Sequence, residues 1–183
     1  MVSTRSSCST KRKPLTEDVG LDLIVETELP FEERTLEVRT AWILEQLDCL
    51  GRGLTLVLVD DENIRDLNQQ WRAVDEATDV LSFPLQEGFG VEFSGGMLGD
   101  IMISVETATR LVSSGDHTTR VARELGREGM ATWSLLDEIT FLFIHGLLHL
   151  LGYDHAEEVE EVEMRTKEAE LMNGFLQHVA LEP

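Results

Sequence analysis

The feature that most constrains this fold is an apolar run at residues 139–151, which carries two histidines. The run is shorter than the roughly 20 apolar residues that a membrane helix needs. Its leucine, isoleucine and phenylalanine side chains surround a helix on nearly every side, which is typical of a helix inside a core. Ser134 and Asp137 form a start signal for this helix, and Gly152 ends it. The sequence therefore predicts a domain built around one buried helix, with no membrane span.

The charge of the chain limits the partners that it can bind. Its 183 residues include 15 basic and 35 acidic side chains, for a net charge of −20. Nonspecific affinity for nucleic acid comes mainly from clustered lysine and arginine, so any RNA site on this chain must be local. The two cysteines, Cys8 and Cys49, predict neither a disulfide framework nor a cysteine zinc site, and a reducing compartment fits them best.

The N-terminal segment differs sharply in composition from the rest. Residues 1–16 contain four basic side chains and no acid, and the composition changes at Glu17. We interpret residues 1–16 as a flexible basic leader and residues 17–183 as a single domain. An acid-poor leader of this kind also resembles an organelle transit peptide. The predicted location is therefore the cytoplasm, or an organelle stroma or matrix if the leader is a transit peptide.

Hydrophobic patterning predicts the order β-α-β-α, followed by two more strands that a glycine-rich loop or hairpin connects. Asp60 or Asp61 is expected to cap the second helix, which runs to Trp71, and Ser104 to cap a short third helix. The predicted strands and longer helices lie at residues 21–25, 35–50, 54–59, 80–83, 97–104, 139–151 and 157–175.

Other predictions concern what lies at the surface. The segment at residues 113–133 is polar and interrupted by glycines, so we expect a surface excursion with a short helix at most. His117 and His178 lie in polar surroundings and are also expected at the surface.

On the last helix, four apolar side chains are candidates for the inward face, namely Val159, Val162, Leu171 and Phe175.

Three histidines form the strongest chemical signal. His145 and His149 are four residues apart, so both imidazoles project from one face of the central helix and can reach one metal ion. A left-handed turn at Gly152 can return His155 toward them, giving three nitrogen ligands and an open fourth position, as in catalytic zinc sites. The alternative is a pair of core histidines with hydrogen-bond partners. An unpaired buried ring costs about 1 to 3 kcal/mol, and metal binding removes that cost.

The same histidine spacing occurs in metzincin proteases. Their signature places a glutamate directly after the first histidine, where it acts as the general base. That position is Gly146 here. A peptidase without this base would be severely impaired, so the spacing alone does not favour a peptidase.

Four motifs resemble those of the YbeY family of rRNA-maturation endoribonucleases, over roughly residues 21–175. The resemblance implies an α+β fold, with a small mixed four-stranded β-sheet packed with helices and a zincin-like metal-binding helix in the centre. This sequence departs from the family pattern in its basic leader, in Trp71, where tyrosine is commoner, and in the longer segment at residues 113–133. The motifs are HGLLHLLGYDH at residues 145–155, LNQQWR at 67–72, TDVLSFP at 78–84 and LGDI at 98–101.

The resemblance also implies roles for individual residues. His145, His149 and His155 would bind one Zn²⁺ per chain, and Arg72 would act at the phosphate as a catalytic residue. From the residues alone, the favoured interpretation of Arg72 is an exposed helix residue paired with Asp75 or Glu76. Asp154 could orient a histidine, accept a proton or close the fourth coordination position, and the last case would make the zinc structural.

The implied activity is that of a zinc-dependent, single-strand-specific endoribonuclease in small-subunit rRNA maturation, including 3′-end processing, and in ribosome quality control. Metal-activated water and the RNA's own 2′-hydroxyl both stay open as the nucleophile. The alternatives are a zinc metallopeptidase or another metal hydrolase, and a non-catalytic ribosome-assembly factor with a structural zinc. The sequence leaves the oligomeric state open.

The implied partners are rRNA or other single-stranded RNA, the small ribosomal subunit and its assembly factors. A chain with a net charge of −20 should bind bare RNA weakly, so we expect partners to direct it to its substrate. The cations expected near the RNA channel are Arg72, Arg110, Arg120, Arg123 and Arg127.

Overall fold

The computed structural model describes residues 19–85, 96–128 and 132–181, which contain four strands and six helices. The predicted leader and most of the predicted glycine-rich loop lie outside these ranges. The elements are β1 (Leu21–Val25), α1 (Glu33–Gln46), β2 (Leu54–Val59), α2 (Asp61–Arg72), β3 (Val80–Pro84), β4 (Gly99–Ser104), α3 (Val105–Val112), α4 (Gly115–Glu124), α5 (Leu135–Leu150) and α6 (Glu158–Leu181).

The strands pair in the order β1-β2-β4-β3. β1 and β4 run parallel to β2, whereas β3 runs antiparallel to β4. Parallel neighbours need a crossover connection, and α1 lies in the one between β1 and β2. The predicted α+β fold with a mixed four-stranded sheet is confirmed.

Side chains alternate along the central strands and divide the core into two parts. On β2, Leu54, Leu56 and Leu58 face the larger part, while Val57 and Val59 face the smaller part. This period of two is expected of a strand that is buried on both faces. The buried side of α2 belongs to the smaller part, and α5 belongs to the larger one.

α5 runs through the larger part of the core, and most of its side chains are buried, as its sequence predicted. It begins with a capping box in which Ser134 and Asp137 each accept the other's backbone N–H. Arg39 of α1 donates to Asp137 at 2.7 Å and to Thr140 at 3.2 Å. These contacts fix α5 against α1, so α5 is a rigid support for the residues at its other end.

The first helix ends earlier than predicted. Residues 35–50 were expected to be helical, but α1 stops at Gln46. Asp48 adopts a left-handed conformation with φ of 52°, and the Cys49 N–H donates to the Leu44 carbonyl at 2.9 Å. These are the features of a Schellman motif, which ends a helix even where a leucine spacing continues.

The inward face of α6 differs in part from the prediction. Leu171 and Phe175 are buried, but Val159 and Val162 are 78% and 61% exposed, so their predicted inward position was wrong. A helix repeats every 3.6 residues, and this places both valines on the side opposite the buried stripe. The buried stripe consists of Met164, Glu168, Leu171, Met172 and Phe175.

None of the helices in the described ranges is long and apolar enough to cross a membrane.

The segment at residues 113–133 is not the surface excursion that we expected. It contains α4, which contributes side chains to the core, and Trp133 is buried as well. The His117 side chain is only 9% exposed because its ring binds the fully buried Glu138 of α5. The expected surface position of His117 was therefore wrong, whereas His178 is exposed as predicted.

The two candidate caps of α2 have different roles. Asp60 caps α2 by accepting a backbone N–H at 2.9 Å. Asp61 instead accepts from Ser104 and Arg110 at 2.6 Å each, which joins α2 to α3. Burial opposes ionisation of Asp61, but hydrogen bonds from Arg110, Ser104 and Thr107 lower its pKa to about 2. Ser104 also caps α3, as predicted.

Candidate metal centre

Three histidines meet at the C-terminal end of α5. His145 and His149 lie four residues apart on this helix, and His155 lies in the connection to α6. One ring nitrogen of each histidine lies within 4.8 Å of the other two. The Nε2 atoms of His145 and His149 are 3.1 Å apart. The structure therefore brings together all three residues that the sequence identified as candidate ligands.

A Schellman motif at the end of α5 brings the third histidine back. Gly152 has φ of +89°, a conformation that favours glycine, and its N–H donates to the His149 carbonyl at 3.0 Å. The Tyr153 N–H donates to the Leu148 carbonyl at 3.0 Å. The chain therefore reverses within two residues of the helix end, and His155 faces the helical pair.

Two of the rings are held in a defined orientation by hydrogen-bond acceptors. His145 Nδ1 donates to Glu168 Oε1 at 2.7 Å, and His149 Nδ1 donates to the Tyr153 carbonyl at 3.0 Å. An acceptor on Nδ1 leaves the lone pair of a neutral ring on Nε2. Both Nε2 atoms therefore carry the lone pairs that a metal ion needs.

The donor set fits a divalent metal ion. Two lone pairs that face each other at 3.1 Å repel unless a cation lies between them. Tetrahedral ligands at 2.0 to 2.1 Å from one zinc ion lie about 3.4 Å apart, which is close to the separation of these two nitrogens. The arrangement therefore fits two ligands of one ion, with His155 as the candidate third.

Burial favours the neutral form of His149. Desolvation lowers the pKa of this ring, and the neighbouring His145 lowers it further. The hydrogen bond to the Tyr153 carbonyl acts in the opposite direction but does not reverse the shift. A neutral imidazole is the form that ligates a metal, so the site favours the state in which His149 can bind.

The histidines lie on one wall of an open cleft of about 490 Å³. β3 and the segment before it line the same cleft, as does Arg72, the last residue of α2. The lining residues are Arg72, Thr78, Asp79, Val80, Ser82, Pro84, His145, His149, Gly152, Tyr153, Asp154 and His155.

The guanidinium of Arg72 is available to a ligand. Arg72 is exposed, and within the described part of the chain it has no hydrogen bond or ion pair. Asp75, one of the two acids that the sequence offered as its partner, instead binds Arg65 at 2.6 Å. Asp79 accepts the Val80 N–H at 2.9 Å, which fixes the loop beside Arg72. The cleft therefore contains a free cation as well as the histidines.

The contact that the structure gives Asp154 is with the backbone of the next residue. It is exposed, and its carboxylate accepts the backbone N–H of His155 at 2.7 Å. The groups that the structure places against the rings are Glu168 and the Tyr153 carbonyl. Sequence reasoning missed both, because Glu168 is one of many acids on α6 and a carbonyl leaves no trace in a sequence.

Gly146 lies where α5 packs closely against the sheet. A Cβ at this position would lie 2.9 Å from Ile101 Cγ2 and 3.0 Å from Ser82 Oγ. Ile101 is fully buried in β4, so it cannot move away easily. The glutamate that metzincin proteases carry here has no room, which gives a structural reason for disfavouring a peptidase.

The other arginines expected near the cleft have different surroundings. Arg110 binds Asp61 at 2.6 Å. Arg120 lines a second pocket of about 250 Å³, which shares His145 and His155 with the cleft. Arg127 donates to Asn173 of α6. Among the described residues, Arg72 is thus the cation that lines the main cleft.

A small α+β domain with a histidine cluster and a free arginine in one cleft defines a candidate metal-dependent hydrolase. Residues 26–176 match the family model described as Endoribonuclease YbeY. The chain therefore belongs to the YbeY family and is an endoribonuclease, a hydrolase that acts on RNA.

Individual relatives agree with this family. The chain is 42% identical to Endoribonuclease YbeY of Heliobacterium modesticaldum, an alignment that covers 84% of this chain and 95% of the relative. It is also 42% identical to Endoribonuclease YbeY of Anaeromyxobacter dehalogenans, where the alignment covers 75% of this chain and 62% of that protein. A solution structure from Thermotoga maritima aligns with 86% of this chain and 92% of its own, at 26% identity and a TM-score of 0.49.

Proposed function

We propose that this endoribonuclease is zinc-dependent, that it cuts single-stranded RNA, and that it acts in small-subunit rRNA maturation, including 3′-end processing, and in ribosome quality control. The observation that carries the proposal is the convergence of three histidine nitrogens with a free arginine in one cleft. Its ligands are His145, His149 and His155, for one zinc ion per chain. The cytoplasm is the proposed location, with an organelle stroma or matrix as the alternative if residues 1–16 are a transit peptide.

Arg72 binds the phosphate of the scissile bond in this proposal. Its planar guanidinium can donate to two phosphoryl oxygens at once, and an unpaired arginine loses no ion pair when it does so. It stabilises the charge that develops on these oxygens in the transition state. When bound, zinc supplies a Lewis acid to the same phosphate.

The size of the cleft supports a single-stranded substrate. Its volume of about 490 Å³ lies in the range of small-molecule sites. A nucleotide of a flexible strand can enter a cleft of this size, whereas a duplex presents its phosphates on a wide, stiff cylinder. At the cleft wall, the His145 side chain is 28% exposed, and His155 is more exposed. Both are therefore accessible to such a strand.

The acidity of the chain supports delivery by partners. A net charge of −20 repels RNA, and one free arginine in the cleft gives few phosphate contacts. We therefore assign substrate choice to the small ribosomal subunit and its assembly factors. Tight binding of bare RNA in moderate salt, with a steep dependence on salt concentration, would contradict this assignment.

Cleavage of a labelled single-stranded RNA tests the activity. The protein is purified with its zinc content measured, beside His149→Ala and the matched control His178→Ala, which removes an exposed histidine of α6. We expect cleavage by the parent and by His178→Ala, and none by His149→Ala. The termini distinguish the nucleophiles, because attack by the 2′-hydroxyl leaves a cyclic phosphate and attack by water does not. Equal cleavage by all three proteins would contradict the proposed site.

The same RNA in duplex form tests strand specificity. We expect the parent to cut the single strand and to leave the duplex intact. If the parent carries one zinc per chain but cuts neither bare RNA nor ribosomal particles, a non-catalytic assembly factor with a structural zinc replaces this proposal.

A further inference from the structure

Glu168 is unusual among the acids of α6. Its residue exposure is 7%, whereas acids such as Glu163 and Glu170 on the same helix are exposed. It lies in the buried stripe between Met164 and Met172, where an apolar side chain would pack without loss. Burying a carboxylate is unfavourable unless a partner compensates for its lost hydration. The position therefore calls for a specific partner.

That partner is a candidate metal ligand. Glu168 Oε1 lies 2.7 Å from His145 Nδ1, the nitrogen on the side of the ring away from His149. A carboxylate can only accept here, so it holds the proton on Nδ1 and leaves the Nε2 lone pair free. It also fixes the plane of the ring, because the bond is short and both groups are largely enclosed.

We infer that Glu168 is a positioning residue for the metal, acting through His145. It sets the tautomer and orientation of the ring and adds a negative charge that makes the imidazole a stronger ligand. Glu168 does not itself touch the substrate. The inference rests on the proposed metal site and deepens it, since it names the residue that prepares one ligand.

The role of Glu168 connects α6 to the metal site. This helix lies after the histidine motif in the chain, and its contact with α5 includes the bond between Glu168 and His145. Metal affinity therefore depends on the packing of α6 against α5, which the histidine motif alone does not predict. Tyr153 plays the parallel part for His149, but with a carbonyl that substitution cannot remove.

Zinc affinity of the full chain, measured by competition with a fluorescent chelator, tests the inference. Glu168→Gln keeps the shape of the side chain and removes its charge, and we expect its zinc dissociation constant to rise by about 10-fold to 100-fold. Glu170→Gln removes one charge from the exposed side of the same helix, and we expect a change of less than about 2-fold. Thermal unfolding of the metal-free proteins checks that both variants fold.

The outcomes separate this inference from the proposed function. Equal zinc affinity in the parent and in Glu168→Gln overturns the role of Glu168 and leaves the metal site standing. Absence of zinc binding in the parent overturns both. Equal losses in Glu168→Gln and Glu170→Gln also overturn the inference, because they would show a general effect of charge.

A second measurement applies if Glu168→Gln does not fold. Long-range ¹H–¹⁵N NMR of the metal-free parent at about pH 8, where unperturbed histidines are neutral, reports which ring nitrogen carries the proton. We expect His145 to be protonated on Nδ1. His117 is the internal reference, because its Nε2 faces Glu138 at 2.9 Å and should carry its proton. A proton on Nε2 of His145 would overturn the inference.

Discussion

Two histidine–carboxylate pairs lie along α5, and they differ in what they leave free. Near the start of the helix, His117 Nε2 binds Glu138, which also accepts from Trp133 Nε1 at 2.5 Å. Nearer its end, His145 Nδ1 binds Glu168. Both carboxylates are buried, but the first histidine is 9% exposed and the second is 28% exposed.

The ring of His117 has both nitrogens in contact with the protein. Its Nε2 faces Glu138, and its Nδ1 lies 3.3 Å from Arg120. This pair holds α4 against α5 and offers nothing to a ligand. The ring of His145 uses one nitrogen for the protein and directs the other toward His149 and the cleft. A free nitrogen beside a cleft, rather than a buried carboxylate, is what distinguishes a site from a structural pair.

The largest effect is expected at the pair of His117 and Glu138. Glu138→Ala removes the acceptor of both His117 and Trp133 and leaves a cavity, so we expect the free energy of unfolding to fall by about 3 to 5 kcal/mol. Denaturant unfolding measures this, with Glu170→Ala as the exposed control. The fraction of Glu138→Ala that stays folded should keep its zinc affinity. A loss of zinc without a loss of stability would show that the two pairs do not differ as described.

The second effect concerns activity in the cleft that His145 and Arg72 line. Arg72→Ala should lower kcat/KM for RNA cleavage by about 10²-fold to 10³-fold, because it removes a donor to the charged phosphoryl group. Arg72→Lys should recover part of this, since it restores the charge but not the planar fork. Unfolding free energy and zinc content should not change. The control is Arg34→Ala on α1, and an equal loss of activity in that variant would contradict a specific role for Arg72.

The third effect concerns α5, the helix that carries one residue of each pair, Glu138 and His145. Gly146→Ala forces the helix away from Ile101, and we expect a loss of about 1 to 3 kcal/mol in unfolding free energy. The control is Gly115→Ala at the start of α4, where a Cβ meets open space. Its stability should be unchanged or slightly higher. Denaturant midpoints at constant slope compare the two variants, and an unaffected Gly146→Ala would contradict the close approach of helix and sheet.

The smallest effect should appear far from either pair, at Asp61. Its pKa in the folded protein is about 2, below the ordinary 3.8, so its contribution to stability is complete above pH 3.8 and is lost as the pH falls toward 2. Solvent screening limits this contribution to about 1 kcal/mol. The difference in unfolding free energy between the parent and Asp61→Asn should therefore shrink over that interval. A difference in unfolding free energy that does not depend on pH would contradict the lowered pKa of Asp61.

The sequence predicted the three histidines of the cleft but neither of the two carboxylates that bind His117 and His145. The spacing of His145, His149 and His155 is local and follows helix geometry, so a pattern was enough to predict their meeting. Glu168 is one of many acids on α6, and only the packing of α6 on α5 distinguishes it. His117 was misjudged for the same reason, because its partner Glu138 lies 21 residues away.

The fold shows the same division. The order of strands and helices along the chain and the buried α5 followed from hydrophobic patterning, which is a property of each segment. The end of α1 depended on Asp48 in a left-handed conformation, which asparagine and glycine adopt more often, and so it was not predicted. The burial of Trp133 depended on the carboxylate of Glu138, in the first turn of α5.

A crystal structure of the zinc-loaded protein, with anomalous scattering at the zinc edge, tests the central claim most directly. We predict one zinc ion bound by the Nε2 atoms of His145, His149 and His155 at about 2.0 to 2.1 Å, with a further position open to the cleft. His145 Nδ1 should stay bonded to Glu168. Zinc at any other place, ligation through Nδ1 of His145, or a fourth position closed by Asp154 would contradict the account.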